Sequence, residues 1–250
     1  MQLFYNLSDT AMEDAFYEIE SMRRFAGLCT TGQISGETTI LNFRYLLEKH
    51  KFGWALFALI NKLLIQEDLT VKEGTIIDAM IISAPSLTKK VGKRDEKMSS
   101  TRKINQPCFD MKMHIETDAS VSCINSIDTT PAIEHDITAA DKSLRGEEKR
   151  VSADVGYLGI DKLEEHQARE VEWFIACRPD NPNRYPKIVL CAQQKILKRR
   201  WKRKWNILFL AIKRRFGYNK VRYKVLAKNN YRLCLLVRFY NLILMDQLAH

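Results

Sequence analysis

The 250-residue sequence lacks several features that would each have assigned it to a class. No apolar run reaches membrane-spanning length, LILM near the end being a short stretch of a mixed segment, so no spanning helix is expected. The six cysteines, at 29, 108, 123, 177, 191 and 234, have no short paired spacing. That speaks against a zinc site and a disulfide framework and leaves them as reduced, mostly buried thiols. The opening MQLFYNLSDTAMEDAFYEI has no basic stretch leading into an apolar run and a small-residue cleavage site, so a cytoplasmic protein is expected. There is no internal repeat. The apolar fraction of 46% is ordinary and suits a folded core with a small accessory domain.

Acid is also scarce, but only locally. Residues 195–250 hold 16 of the 40 Lys and Arg and a single acid, Asp246, which makes this segment +15. The other 24 bases face 29 acids, leaving the remainder at −5. Basicity concentrated in this way is what a phosphate-neutralising surface requires. The plainer alternative is a solvated basic helix with no ligand.

Residues 7–66 read as helical. Thr10 with Glu13 fits a capping box, Ala15, Phe16 and Ile19 recur at helical spacing, and ETTILNFRYLLEKH and WALFALINKLLIQ suit further helices. From about residue 74 the pattern changes to strands, in GTIIDAMIIS, CFDMKMHIETD and SVSCINSIDT. A helix fits DITAADKSL, a strand KRVSADVG, a helix IDKLEEHQAREV and a strand EWFIAC, and the tail beyond 190 reads as helical and basic. SLTKKVGKRDEKMSSTRK reads as a polar loop. Three successive strands and then alternating helix and strand imply an α/β fold: a ribonuclease-H-like mixed sheet with flanking helices, preceded by a small helical N-terminal region. The expected division is 1–70 and 71–250.

Two acids carry the candidate chemistry. Asp78 lies inside the apolar strand Ile76-Ile77-Asp78-Ala79, where a charge is costly unless paired or bound to a cation. Asp154 lies where the strand Val151-Ser152-Ala153 runs into a glycine turn, and ligands commonly bind near strand ends in such sheets. Carboxylates on neighbouring strands can hold Mg²⁺, which takes hard oxygen ligands and shares its shell with phosphate. The alternative is a pair of ordinary strand-end aspartates.

Six blocks, LSDTAMEDAFYEIESMRRFAGL, ETTILNFRYLLEKH, GTIIDAMIISAPS, HDITAADKSLRGEEKRVSADVGYLG, VEWFIACRP and AIKRRFGYNKVRYKVLAKN, occur in an order that resembles bacterial insertion-sequence transposases of the DDE type, in the branch named for insertion sequence five. The resemblance spans nearly the whole chain. It implies a ribonuclease-H-like catalytic domain, a Mg²⁺ cofactor with Mn²⁺ as a substitute, and double-stranded DNA as partner, cut and joined at terminal inverted repeats and transferred to target DNA. It also implies a nucleoid-associated cytoplasmic protein and a homodimer on DNA. Asp78 and Asp154 match the first two catalytic aspartates and would hold the metal. His135 and Asp136 match a recurrent block and are expected to cap the following helix. Lys213, Arg214, Arg215, Lys220, Arg222 and Lys224 lie in matching sequence and are the expected contacts to the DNA backbone.

Two departures from the family pattern stand out. Relatives carry a further helical stretch before the block that begins here near Leu3, so the chain resembles a copy truncated at its start. The catalytic glutamate falls at Asn206, a neutral amide that cannot supply the charge expected of a metal ligand. The associated arginine falls at Lys202 and the tyrosine at Arg199, while the lysine is kept as Lys213. The family's alanine-lysine-valine-glutamate-histidine-proline, written GCG AAA GTG GAA CAT CCT before a T and read one base late, gives Arg203-Lys204-Trp205-Asn206-Ile207-Leu208. Residues 180–208 are therefore expected to be out of frame, in which case Lys198, Arg199, Arg200, Trp201, Lys202, Arg203, Lys204 and Trp205 were not selected to bind DNA. The expected function is that of a DNA transposase whose present copy is catalytically impaired. The alternatives are a non-catalytic DNA-binding remnant and an unselected relic.

Overall fold

The computed structural model describes residues 1–29, 32–67, 74–84, 101–103, 106–108, 110–144, 146, 148–167, 170–176 and 208–249. The chain begins with helices α1 (Asp9–Glu18), α2 (Glu20–Phe25), α3 (Glu37–Lys49) and α4 (Phe52–Gln66). Ser8 caps α1, its Oγ accepting from the Ala11 N–H at 3.1 Å, so Thr10 is not the cap but lies inside the helix. Glu13 does not close a capping box either. Its Oε2 accepts the Glu37 N–H at 2.6 Å, at the start of α3, where Gly36 has no side chain to do so. A carboxylate there also meets the positive end of the helix dipole. Asp9 and Arg44 join α1 to α3 through two bonds of 2.6 and 2.8 Å.

Among the described residues the strands that follow are β1 (Thr75–Ile82), β2 (Thr101–Lys103), β3 (Gln106–Cys108), β4 (Met111–Asp118), β5 (Ile124–Pro131), β6 (Arg150–Ala153) and β7 (Glu172–Ile175). Helix α5 (Asp136–Ser143) lies between β5 and β6, and the single turn α6 (Glu164–Gln167) precedes β7. β2 and β3 form a separate two-stranded ladder, so the end of the expected polar loop is paired. The main sheet has the order β5-β4-β1-β6-β7. β4 runs antiparallel to β1 and β5, while β6 runs parallel to β1 and β7. A three-strand meander whose first strand is then flanked by parallel strands is the ribonuclease-H-like arrangement that the strand and helix order implied.

The two-residue period of the strands sorts their side chains into two cores. On one face Met80, Ile82, Met111, Met113 and Ile115 pack against Phe57 of α4, against Leu208, Ile212 and Phe216, and against Leu233 and Val237 of the last helix, α7 (Leu226–Ala249). On the other face Ile77, Val151 and Ala153 pack against Ala140 of α5, against Leu144 just beyond its end, and against Tyr157 and Ile160.

Some expected elements are shorter in the structure. The strand expected from Ser120 begins at Ile124, because Asp118 Oδ1 accepts from the Ser120 and Val121 N–H groups at 2.8 and 2.9 Å and folds that stretch into a turn. The helix expected over 160–171 reduces to a 3₁₀ turn at Ile160–Lys162 and to α6, interrupted by extended Leu163. In the basic tail, residues 177–207, Asn206 among them, lie outside the described residues. A π-helical turn at Ala211–Arg215 ends before Gly217, whose φ of +61° is a left-handed conformation that terminates helices. Cys123 and Cys234 are buried thiols as expected, whereas Cys29 is exposed. Among the described residues no helix is long and apolar enough to cross a membrane.

Candidate active site at the edge of two parallel strands

β1 and β6 align Thr75 with Val151, Ile76 with Ser152 and Ile77 with Ala153. Asp78 and Asp154 are each the next residue beyond the last pair of this ladder, and the charge of Asp154 acts on Asp78. β6 stops at Ala153, and Asp154, still extended, accepts the Gly156 N–H on Oδ1 at 2.8 Å, which starts the 3₁₀ turn Val155–Tyr157. Asp78 accepts the Ala79 N–H on Oδ1 at 2.8 Å. Each acid is thus oriented by one backbone donor. Both are only half-buried, and Gly156 is exposed.

The surroundings work against charge on Asp78. Burial pushes its carboxyl up to about 7; the Ala79 N–H opposes this, and the negative charges of Asp154 and Asp136 add to it. Burial, followed by the same acids led by Asp136, raises the phenol of Tyr157, which stays neutral.

Asp136 reaches this place from α5. It does not serve as the helix cap that was expected, and neither does the side chain of exposed His135, which occupies the capping position without accepting a hydrogen bond. Asp136 Oδ1 instead meets Lys112 Nζ at 2.9 Å, and the same ammonium donates to the Glu134 carbonyl at 2.7 Å. Asp136 was singled out from the sequence as part of a recurrent block and expected to cap α5, and Lys112, Gly156 and Tyr157 were not singled out for the site; the packing of α5 and β4 gathers them.

The basic residues lie along the continuation of β1. Ser83 and Lys220 form a parallel bridge, and the Val221 N–H donates to the Ser83 carbonyl at 3.0 Å. Lys213 Nζ reaches the Ile81 carbonyl at 3.4 Å, on the strand that carries Asp78. Arg214, Arg215, Lys220, Arg222 and Lys224 are exposed, and the Arg215 guanidinium sits 5.7 Å from the centre of the Phe4 ring. Buried Asn229 fixes the stretch from behind. Its Oδ1 accepts from the Tyr218 hydroxyl and from the Arg222 and Tyr223 N–H groups at 2.7, 3.2 and 3.1 Å. A row of exposed cations therefore starts at the end of the strand that carries Asp78.

Among the described residues, no three His, Cys, Asp or Glu side chains converge as ligands of one ion. What is present is a pair of adjacent carboxylates, hard oxygen donors with open positions left for water and phosphate, as Mg²⁺ prefers. Burial and like charge disfavour the ionised form of Asp78, a situation that a divalent cation would reverse. The residues fit such an ion.

Residues 69–242 match the family described as the transposase DDE domain, and residues 1–46 match a family described as a transposase domain. No solved structure matches the chain.

Proposed function

The chain belongs to the transposase DDE domain family, and we propose that within it Asp78 and Asp154 hold a divalent cation for cutting and joining DNA strands at terminal inverted repeats. We divide the chain accordingly into a helical region over residues 1–70 and a catalytic domain over 71–250. The observation that supports the reading is the register of β1 and β6, whose last pair, Ile77 with Ala153, immediately precedes Asp78 and Asp154. Bound Mg²⁺, or Mn²⁺ in its place, would activate the attacking hydroxyl and stabilise the leaving oxygen of an in-line phosphodiester displacement.

The remaining work falls to the chain itself. Asp78 and Asp154 would supply the negative charge that the cation requires, each held by the backbone N–H that it accepts. Arg214, Arg215, Lys220, Arg222 and Lys224 neutralise phosphates of the duplex beside the acids, while Lys213 braces the π-helical turn on the end of β1. Tyr157, buried and neutral, closes the sheet behind the pair.

This copy is catalytically impaired in our reading, because the position of the family's glutamate is Asn206, whose amide brings no charge. The test compares the chain with its Asn206→Glu variant on terminal-repeat DNA in Mg²⁺. Cleavage by the variant alone is expected; equal cleavage by both would refute the impairment, and none by either would count against the active-site assignment. Out-of-frame translation of residues 180–208 would account for the loss, and an ungapped alignment of the gene with intact relatives would reject that explanation.

A second reading, a DNA-binding protein without catalysis, is favoured by the exposed cations between Arg214 and Lys224, which do not depend on Asn206. Binding that weakens steeply with salt while the DNA stays uncut is its signature.

A further inference from the structure

We propose that Asp136 and Lys112 form a positioning device for Asp154, in which the ion pair wedges the Asp136 carboxylate against Gly156 and so fixes the turn that aims Asp154. The inference rests on the reading that Asp78 and Asp154 hold a divalent cation. Asp136 acts through Asp154 in this arrangement.

The geometry begins on β4. Lys112 stands opposite Ile81 on one side and Thr130 on the other, so its backbone is clamped between two strands. Ile115, opposite Asp78, differs from Lys112 by an odd number of positions, so the Lys112 side chain leaves the sheet on the face away from Asp78. There it meets α5. Nζ donates to the Glu134 carbonyl and contacts Asp136 Oδ1 at 2.7 and 2.9 Å, with both charged side chains largely out of solvent. A pair shielded in this way holds its geometry better than a surface pair, which solvent screens and side-chain entropy loosens.

The other oxygen of Asp136 points at the Asp154 turn. A Cβ placed on Gly156 would stand 2.7 Å from Asp136 Oδ2 and 3.0 Å from Asp154 Oδ1. Both carboxylates therefore press on the same point, and any side chain there would push them apart. Gly156 is not in the left-handed region, so glycine is required at this point for space and not for backbone conformation. Two like charges brought so close separate unless each is tied. Lys112 ties Asp136, and the Gly156 N–H ties Asp154 at 2.8 Å. Removing either member of the ion pair lets α5 and the turn relax, and Asp154 loses its fixed aim beside Asp78.

Titration of the full-length protein with Mn²⁺ alone, followed by the loss of the free-ion electron paramagnetic resonance signal, tests the proposal without requiring catalysis. Asp136→Asn is expected to weaken Mn²⁺ binding about 10-fold, the lower end of what outer-shell partners of metal ligands contribute. Lys112→Met is expected to weaken it as well, with Lys112→Arg close to wild type. That sign is decisive, since a purely electrostatic role would make Lys112→Met bind Mn²⁺ more tightly by leaving the site more negative. Gly156→Ala provides a third arm that keeps both charges and should also weaken binding. Wild-type affinity in Asp136→Asn, or tighter binding in Lys112→Met, overturns the proposal while leaving the Asp78–Asp154 site intact, provided Asp78→Asn abolishes binding. Failure of the wild-type chain to bind Mn²⁺ overturns both together. Should Asp136→Asn fail to fold, Lys112→Arg against Gly156→Ala decides the matter alone.

Discussion

Asp78 and Asp154 each stand one position beyond the Ile77–Ala153 pairing of two parallel strands, so two acids 76 positions apart in the chain are brought to neighbouring strands of one sheet. Without a cation the burial of Asp78, to which the charges of Asp154 and Asp136 add, is a source of instability with a defined pH dependence. The folded-state value for Asp78, about 7, lies above its ordinary 3.8. A raised value means that the contribution to stability is fully present below the ordinary value and is lost as pH rises through the folded one. The metal-free protein should therefore lose stability between about pH 4 and pH 8 through this group, by about 1 to 3 kcal/mol. Asp78→Asn should melt higher than wild type at pH 8 and coincide with it near pH 4; parallel melting curves at both pH values would contradict this.

Arg238 is fully buried on α7, its guanidinium 5.3 Å from the centre of the Phe57 ring, with Nη2 donating to Cys234 Sγ. Among the described residues its Nε and Nη1 have no hydrogen-bond partner. Burial lowers its tendency to hold a proton. A guanidinium with no carboxylate beside it among the described residues is costly inside a core, so Arg238→Met should stabilise the fold by about 1 to 3 kcal/mol. Chemical denaturation measures this directly, and a destabilised variant would mean that the cation has a counter-ion.

Gly53 on α4 carries the ring of Tyr231 directly over its Cα. An added Cβ would lie 2.5 Å from Tyr231 Cε2, and the Gly53 N–H donates to the Tyr231 hydroxyl at 3.2 Å. Although alanine is the better helix former, Gly53→Ala should cost about 1 to 3 kcal/mol by forcing α4 and α7 apart. Combining it with Tyr231→Ala, which vacates the space, should make the second substitution nearly harmless.

Asn229 holds together the stretch that carries the exposed cations, with Nδ2 also donating to the Tyr223 and Val225 carbonyls at 2.8 and 2.9 Å. Asn229→Ala leaves these backbone groups without partners in a buried place and should cost about 2 to 4 kcal/mol. Hydrogen exchange at Arg222 and Tyr223 should rise first. Replacing Arg214, Lys220, Arg222 or Lys224 with Ala should leave stability unchanged and lower the salt slope of DNA binding by about 1 for each phosphate left without its cation.

How far the sequence disclosed this arrangement differs by residue. Asp78 was legible because an acid inside an apolar strand stands out from its neighbours, and Asp154 because it closes a strand before a glycine turn. The mixed sheet with flanking helices followed from the order of elements. The pairing of Asp136 with Lys112 was not legible: Asp136 read as a helix cap and Lys112 as an ordinary alternating polar position, and only the packing of α5 on β4 joins them. Glu13 misled for a related reason, since local rules pair it with its own helix whereas the fold lends it to α3. The break at Gly217 and the turn at Asp118 shortened elements whose apolar patterns ran on, because side-chain periodicity does not register a single left-handed residue or a side chain that captures two backbone donors.

The most direct test of the site is calorimetric titration of Mg²⁺ into the wild-type chain, Asp78→Asn and Asp154→Asn under one buffer condition. The account predicts saturable binding to the wild type and its loss in each single variant, because both acids share one ion. Wild-type affinity retained in either variant would contradict it.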